Sequence, residues 1–118
     1  LVTQALTASP VATVNETITV EVKNGTATEG MDALAASRLN YAGYLTRLAP
    51  ADRRDYATSI LVDLSVAPDY NRNAILLNVL GFQPGQLVSI PDPNSTVQYR
   101  LIIGYDYQPC FQPESISP

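Results

Sequence analysis

Two strand-helix-strand units sharing one sheet, with both helices on one of its faces, make an α/β (α+β) domain the fold class that this sequence predicts. Three observations carry the prediction. Strand-like runs occur at 17–23 and 59–64, each is followed by a segment with apolar residues at steps of three and four, and each segment closes on a Gly-aromatic pair, Gly43-Tyr44 or Gly81-Phe82. The same order of elements therefore occurs twice, and a ferredoxin-like arrangement is one topology that satisfies it.

Residues 1–16 are small, rich in Thr and Ala and broken by Pro10, which reads as a linker or an edge strand ahead of a domain at 17–107. From Thr17 to Lys23 the chain alternates, with Ile18, Val20 and Val22 on one side. Asn24-Gly25 ends this strand, and Thr26 with Glu29 has the Ser/Thr-x-x-Glu spacing of a capping box, so a helix is expected over 28–42. Met31, Leu34, Ala35, Leu39 and Ala42 form its apolar stripe, and Gly43 stops it. Residues 44–49 are strand-like up to Pro50, and 51–56 is a polar connection. The nearly continuous apolar run at 59–64 suits an interior strand in which Asp63 is the exception, read as facing solvent or closing an edge, with a functional carboxylate as the alternative. Pro68 and Asp69 start a second helix carrying Ala74, Ile75, Leu77, Val79 and Leu80, which Gly81 ends. A strand at 87–90, a Pro-Asp-Pro-Asn turn at 91–94 and a strand at 97–103 complete the second unit, and the Pro- and Ser-rich exit after Gly104 is expected to be poorly ordered, with 108–118 as a flexible tail. One core is expected to hold Ile18, Val20, Val22, Leu34, Leu39, Ile60, Val62, Ile75, Val79, Leu101 and Ile103.

Composition restricts function more than it defines it. A chain of 118 residues supports one core without staples. Its net charge of -4, with seven dispersed basic residues, argues against nucleic acid as a partner. No apolar run approaches the roughly 18 residues of a spanning helix, and the N-terminus lacks the pattern of a signal peptide, which suggests an excised or mature piece. A chain with no His and one Cys, Cys110, lacks the commonest general base and metal ligand; no catalytic residue, cofactor site or metal site is expected.

The order VKNGT, a helix running LAASRLNYAGY, a polar loop leading into DYATSILVD, a helix ending LNVLGF and a strand running into LIIGYDY resembles the C-terminal domain of the LytR-CpsA-Psr cell-envelope proteins, over about residues 18–107. Gly30-Met31-Asp32 stands where that family often has Gly-Leu-Ala. The resemblance implies an extracytoplasmic, cell-envelope location, through a membrane-anchored parent protein or by secretion. It also implies that glycopolymer transfer to peptidoglycan belongs to a separate catalytic domain with clustered Arg and Asp, whereas this one is a non-catalytic accessory module. The implied partners are cell-wall glycan or that catalytic domain; the alternative is a protein-interaction or dimerisation module, such as a homodimer using a free sheet face or edge.

Several residues are candidates for a ligand surface. Asn24, Gly25 and Thr26 place backbone N–H groups at a helix start, where an anion or sugar carboxylate is favoured, although a turn with a cap uses the same residues. Arg53, Arg54 and Tyr56, between Asp52 and Asp55, combine charge with an aromatic ring suited to glycan stacking, or form a solvated loop. The N-termini of the two helices are expected to open toward a common edge. Asp106-Tyr107 reads as a strand end whose Asp caps a turn and whose Tyr covers the core. Asn15, Asn24 and Asn94 each begin an Asn-x-Ser/Thr motif, with turn chemistry as the competing explanation for the second and third. Cys110 pairs between chains or is a bystander thiol.

Overall fold

Residues 18–107 are described by the structure, a computed structural model of the chain. The linker or edge strand at 1–16, the Asn15 motif, Cys110 and the tail at 108–118 lie outside the described residues. Side-chain alternation sets the first strand: β1, Thr19–Asn24, buries Val20, Val22 and Asn24 and leaves Thr19, Glu21 and Lys23 on the other face. After it come α1 (Met31–Tyr41), β2 (Leu45–Pro50), β3 (Ile60–Asp63), α2 (Tyr70–Leu80), a 3-10 turn (Pro84–Gln86), β4 (Leu87–Ser89) and β5 (Tyr99–Ile103). Gly43 and Gly81, at φ of 103° and 73°, supply the left-handed conformations on which the two helices stop.

Among the described residues the strands form one five-stranded sheet in the order β2-β1-β5-β3-β4. β1 is parallel to β2 and β3 to β4, so each strand-helix-strand unit keeps its strands side by side. β5 joins the two units, parallel to β1 and antiparallel to β3. The two helices pack against one face, and this mixed two-layer architecture is the expected one, consistent with a ferredoxin-like type of fold.

On the helix face Val20, Val22, Leu61, Tyr99, Leu101 and Ile103 of the sheet meet Ala35, Ala36 and Leu39 of α1 and Leu76, Leu77 and Leu80 of α2. Each fully buried Leu contributes roughly 1.5–3 kcal/mol relative to exposure. The expectation of one core containing every periodic apolar residue is corrected in two ways. Leu34 and Ile75 are 52% and 54% exposed, because α1 turns Ala35, Ala36 and Leu39 inward and α2 turns Asn73, Leu76, Leu77 and Leu80. Ile60 and Val62 project from the opposite face of β3 and join Leu64 and Val97 in a separate small cluster. On the same open face Glu21 and Arg100, direct neighbours in register, form an ion pair at 2.8 Å.

Asp63 also departs from expectation, since it is fully buried rather than facing solvent. Parity explains this: Leu61 and Asp63 share the helix face, opposite Leu101 and Tyr99. A carboxylate there needs donors, and it has them in the Asn73 side-chain amide at 3.0 Å and the Ser65 N–H at 2.9 Å. The Tyr99 hydroxyl in turn donates to Asn73 Oδ1, so the one polar residue on the buried face of α2 links the two sheet residues. Asp69 accepts the Arg72 N–H at 3.1 Å and caps α2 as its sequence position suggests.

Burial, followed by the Asp63 carboxylate, pushes the Tyr99 hydroxyl from 10.0 up to about 12. A phenol with a raised folded pKa holds its proton more tightly in the folded state. Its stabilisation is complete below about pH 10 and is lost as pH climbs through about 12. Urea unfolding measured against pH is expected to give a stability that falls between those values, with a shallower fall for Tyr99→Phe. An equally steep fall in the variant would place the alkaline sensitivity elsewhere.

Candidate functional site

Where β1 ends, Asn24 organises the turn with its own side chain. Its Oδ1 accepts the Thr26 N–H at 3.0 Å and the Thr26 hydroxyl at 2.7 Å, and its Nδ2 donates to the Thr28 carbonyl at 2.8 Å. The Thr26 hydroxyl oxygen accepts the Thr28 N–H at 3.2 Å. Thr26 is thus used within an Asx-type turn, and the expected capping box with Glu29 does not form. α1 begins five residues after Thr26, at Met31, with Gly30 at φ 88° as its N-cap and no side-chain cap. Asn24 is 7% exposed and Thr26 1%, so the turn explains this Asn-Gly-Thr motif.

Gly25 is where three segments cross. Its N–H donates to the Ile103 carbonyl at the end of β5, and its carbonyl accepts the Tyr56 N–H, both at 2.9 Å. A Cβ on residue 25 would lie 2.5 Å from Tyr56 Cδ2 and 2.6 Å from the Ile103 oxygen. Gly104 makes a second close approach, since a Cβ there would lie 2.5 Å from the Thr58 carbonyl carbon. Asp106 closes this crossing by accepting the Ser59 N–H at 2.8 Å and its hydroxyl at 2.7 Å, while Ser59 Oγ accepts the Gly104 N–H at 2.8 Å. Residues 105–107 of the exit after Gly104 are held in place, contrary to the poor order expected there: Tyr105 N–H donates to the Tyr56 carbonyl, Asp106 N–H to the Ala57 carbonyl, and Tyr107 is buried edge-on to Phe82. Burial raises the Tyr107 pKa, and the neighbouring Arg38 opposes the rise.

The charged loop divides its residues between two tasks. Tyr56 donates its hydroxyl to Asp52 at 2.8 Å, Arg53 pairs with Asp55 at 2.8 Å, and the Arg53 guanidinium lies 4.2 Å from the Tyr56 ring centroid. The shared hydrogen bond raises the Tyr56 pKa and lowers that of Asp52. With Arg53 on its ring and Gly25 against its edge, Tyr56 is not a free stacking platform. Arg54 turns away from this group, and its Nε donates to the Thr26 carbonyl at 2.6 Å. Tyr105, which sequence reasoning placed in the exit, ties the same parts together: its hydroxyl accepts the Ala27 N–H at 2.8 Å and donates to the Arg54 carbonyl at 3.3 Å. Tyr105 is 54% exposed, and its sequence signal was its place directly after Gly104.

An open cavity of about 520 Å³ lies beside this crossing. Asn24, the start of α1 (Glu29, Gly30, Asp32), the end of β2 (Leu48, Ala49, Pro50), Ala51 and Arg54 line it. Of the six residues singled out from sequence it brings together Asn24 and Arg54; Gly25 and Thr26 shape the turn behind them, and Arg53 and Tyr56 are outside the lining. Glu29, Asp32 and Leu48 were missed as site residues. Nor do the helix N-termini share an edge as expected. Because β3 runs antiparallel to β5 and β5 parallel to β1, the start of α2 lies at the other end of the sheet from the start of α1.

The family description for the LytR cell envelope-related transcriptional attenuator matches residues 17–107. This chain belongs to that family. No curated protein and no solved structure matches it. The LytR match spans the two βαβ units and both close crossings, ending at Tyr107, so the segments that build the cavity are part of the family domain. Membership supports a cell-envelope protein, and no helix among the described residues of this LytR domain is long and apolar enough to cross a membrane. Among the described residues no group of three or more Cys, Asp or Glu could hold a metal ion.

The crossing generates a direct test of stability in this LytR domain. Gly25→Ala is expected to cost about 1–3 kcal/mol in urea unfolding, because the new methyl meets a backbone oxygen and a ring held in place. Gly85→Ala, where an added Cβ meets nothing within 4 Å, should stay within about 0.5 kcal/mol of wild type. Equal effects at the two glycines would contradict the crossing as the reason for Gly25.

Proposed function

We propose that this domain is a non-catalytic accessory module of an extracytoplasmic cell-envelope protein, in which the cavity between Asn24, the start of α1 and Arg54 binds cell-wall glycan or seats a catalytic domain that attaches glycopolymers to peptidoglycan. Family membership supplies the envelope setting. The observation that carries the binding role is the way Arg54 is held. Its Nε bond to the Thr26 carbonyl fixes the guanidinium on the cavity wall, so less side-chain freedom is lost when a ligand hydroxyl or carboxylate meets it. Leu48, Ala49 and Pro50 add an apolar wall, and the open shape suits a weak contact to a polymer better than enclosure of a small molecule.

A second reading has its own observation. β2 is an edge strand with no strand beyond it among the described residues, and its Leu45 and Leu48 are 55% and 50% exposed. Such an edge favours a protein-interaction or dimerisation role. Titration of the isotopically labelled domain with soluble peptidoglycan fragments separates the two. The glycan reading expects saturable shifts in amides of residues 24–32 and 48–54, weakened in Arg54→Ala. Because Arg54 also bonds Thr26, that variant is checked for folding by its own amide spectrum. Shifts confined to the helix surfaces or the open sheet face would refute this placement, and a mass that grows with protein concentration in sedimentation, without fragment binding, would favour the edge.

A further inference from the structure

We propose that the cavity selects a zwitterionic ligand, one bearing a carboxylate and a protonated amine, over a neutral sugar; this inference rests on the binding role just proposed for the same cavity. Arg54 uses its Nε on the Thr26 carbonyl, and among the described residues its terminal nitrogens have no hydrogen bond or ion pair. Those two nitrogens are the fork that takes a carboxylate in a bidentate pair. On the same cavity stand Glu29, exposed and without a partner among the described residues, and Asp32, whose Oδ1 accepts the Ala33 N–H at 2.9 Å while its second oxygen is uncommitted.

Opposite charges thus face one volume without neutralising each other, since none of the ion pairs joins Arg54 to Glu29 or Asp32. A ligand that supplies both counterions satisfies both walls at once. A neutral sugar offers each wall only hydroxyls, which replace water with no gain in charge pairing. The two acids against one guanidinium leave the lining with an excess negative charge, so an additional amine on the ligand is tolerated and an additional carboxylate is not. The apolar part of the lining, Leu48, Ala49, Pro50 and Ala51, fits a short aliphatic chain joining the two charges of the ligand. The ligand class is therefore an amino acid or the charged end of a peptide, with its ammonium toward Glu29 and Asp32 and its carboxylate on Arg54.

The test titrates the labelled 118-residue chain with glycine, γ-aminobutyrate, ε-aminocaproate and lysine, which vary the separation of the charges, and with diacetylchitobiose as the neutral sugar. The N-acetyl and methyl-ester forms of the tightest zwitterion are the controls. Expected are saturable shifts at residues 24–32 and 48–54 with at least one zwitterion, and binding at least about tenfold weaker when either charge is blocked. Glu29→Gln, at an exposed side chain with no partner to lose, should reduce zwitterion binding while leaving the spectrum of the free protein intact. Equal binding of blocked and unblocked forms, or no shift with any zwitterion, overturns the proposal. If diacetylchitobiose then shifts the same amides, the glycan role survives without the charge selectivity; if it does not, the glycan-binding role of this cavity falls with it.

Discussion

The missing side chain at residue 25 is the constraint on which the arrangement around it depends. With no Cβ, the backbone of β1 leaves the sheet close enough to give its N–H to Ile103 and to receive the N–H of Tyr56. Two hydrogen bonds at one residue therefore join the end of β1, the end of β5 and the loop between β2 and β3. Gly104 repeats the device on the next crossing, with Ser59 and Asp106 closing it. These contacts bury Asn24 and Thr26, bring Arg54 within reach of the Thr26 carbonyl and set one wall of the cavity.

The other end of the sheet is held by different chemistry. There Asp63, Asn73 and Tyr99 form a buried chain of hydrogen bonds joining β3 and β5 to α2. Removing one member leaves another polar group buried without its partner, which costs about 1–3 kcal/mol, so this network specifies the seating of α2 more than it adds net stability. The antiparallel placement of β3 separates the two ends, leaving the start of α1 on the open site and the start of α2 closed by Asp69.

Features governed by local period or backbone conformation were legible in the sequence. The alternation at Val20 and Val22, the paired glycine stops at Gly43 and Gly81, and the Asp69 cap all appear where their chemistry requires them. Features that need a partner from elsewhere in the chain were not. The run from Asn24 to Glu29 offers both a capping box of Thr26 with Glu29 and an Asx turn from Asn24 to Thr26, and the turn forms where Gly25 meets Tyr56 and Ile103. In α1 the apolar residues Leu34, Ala35, Ala36 and Leu39 surround more than one side, so the stripe alone did not show that Leu34 faces out. A continuous apolar strand such as Ile60 to Leu64 does not reveal its parity, and Asp63 was misplaced for that reason. For the site, the turn and the Arg54 loop were readable as polar loops, whereas Glu29, Asp32 and Leu48 join them only through the course of α1 and β2 across the sheet.

Hydrogen exchange at single amides tests the central claim most directly. If Gly25 is the junction that holds three segments, the N–H groups of Gly25, Tyr56 and Tyr105, all bonded to backbone carbonyls at 2.9 Å, should exchange only when the whole domain unfolds. Their opening free energies should then match the global value from urea unfolding and that of Leu101 in the central strand. Exchange of Tyr56 and Tyr105 at rates typical of a free loop, with β1 and β5 still protected, would contradict the account.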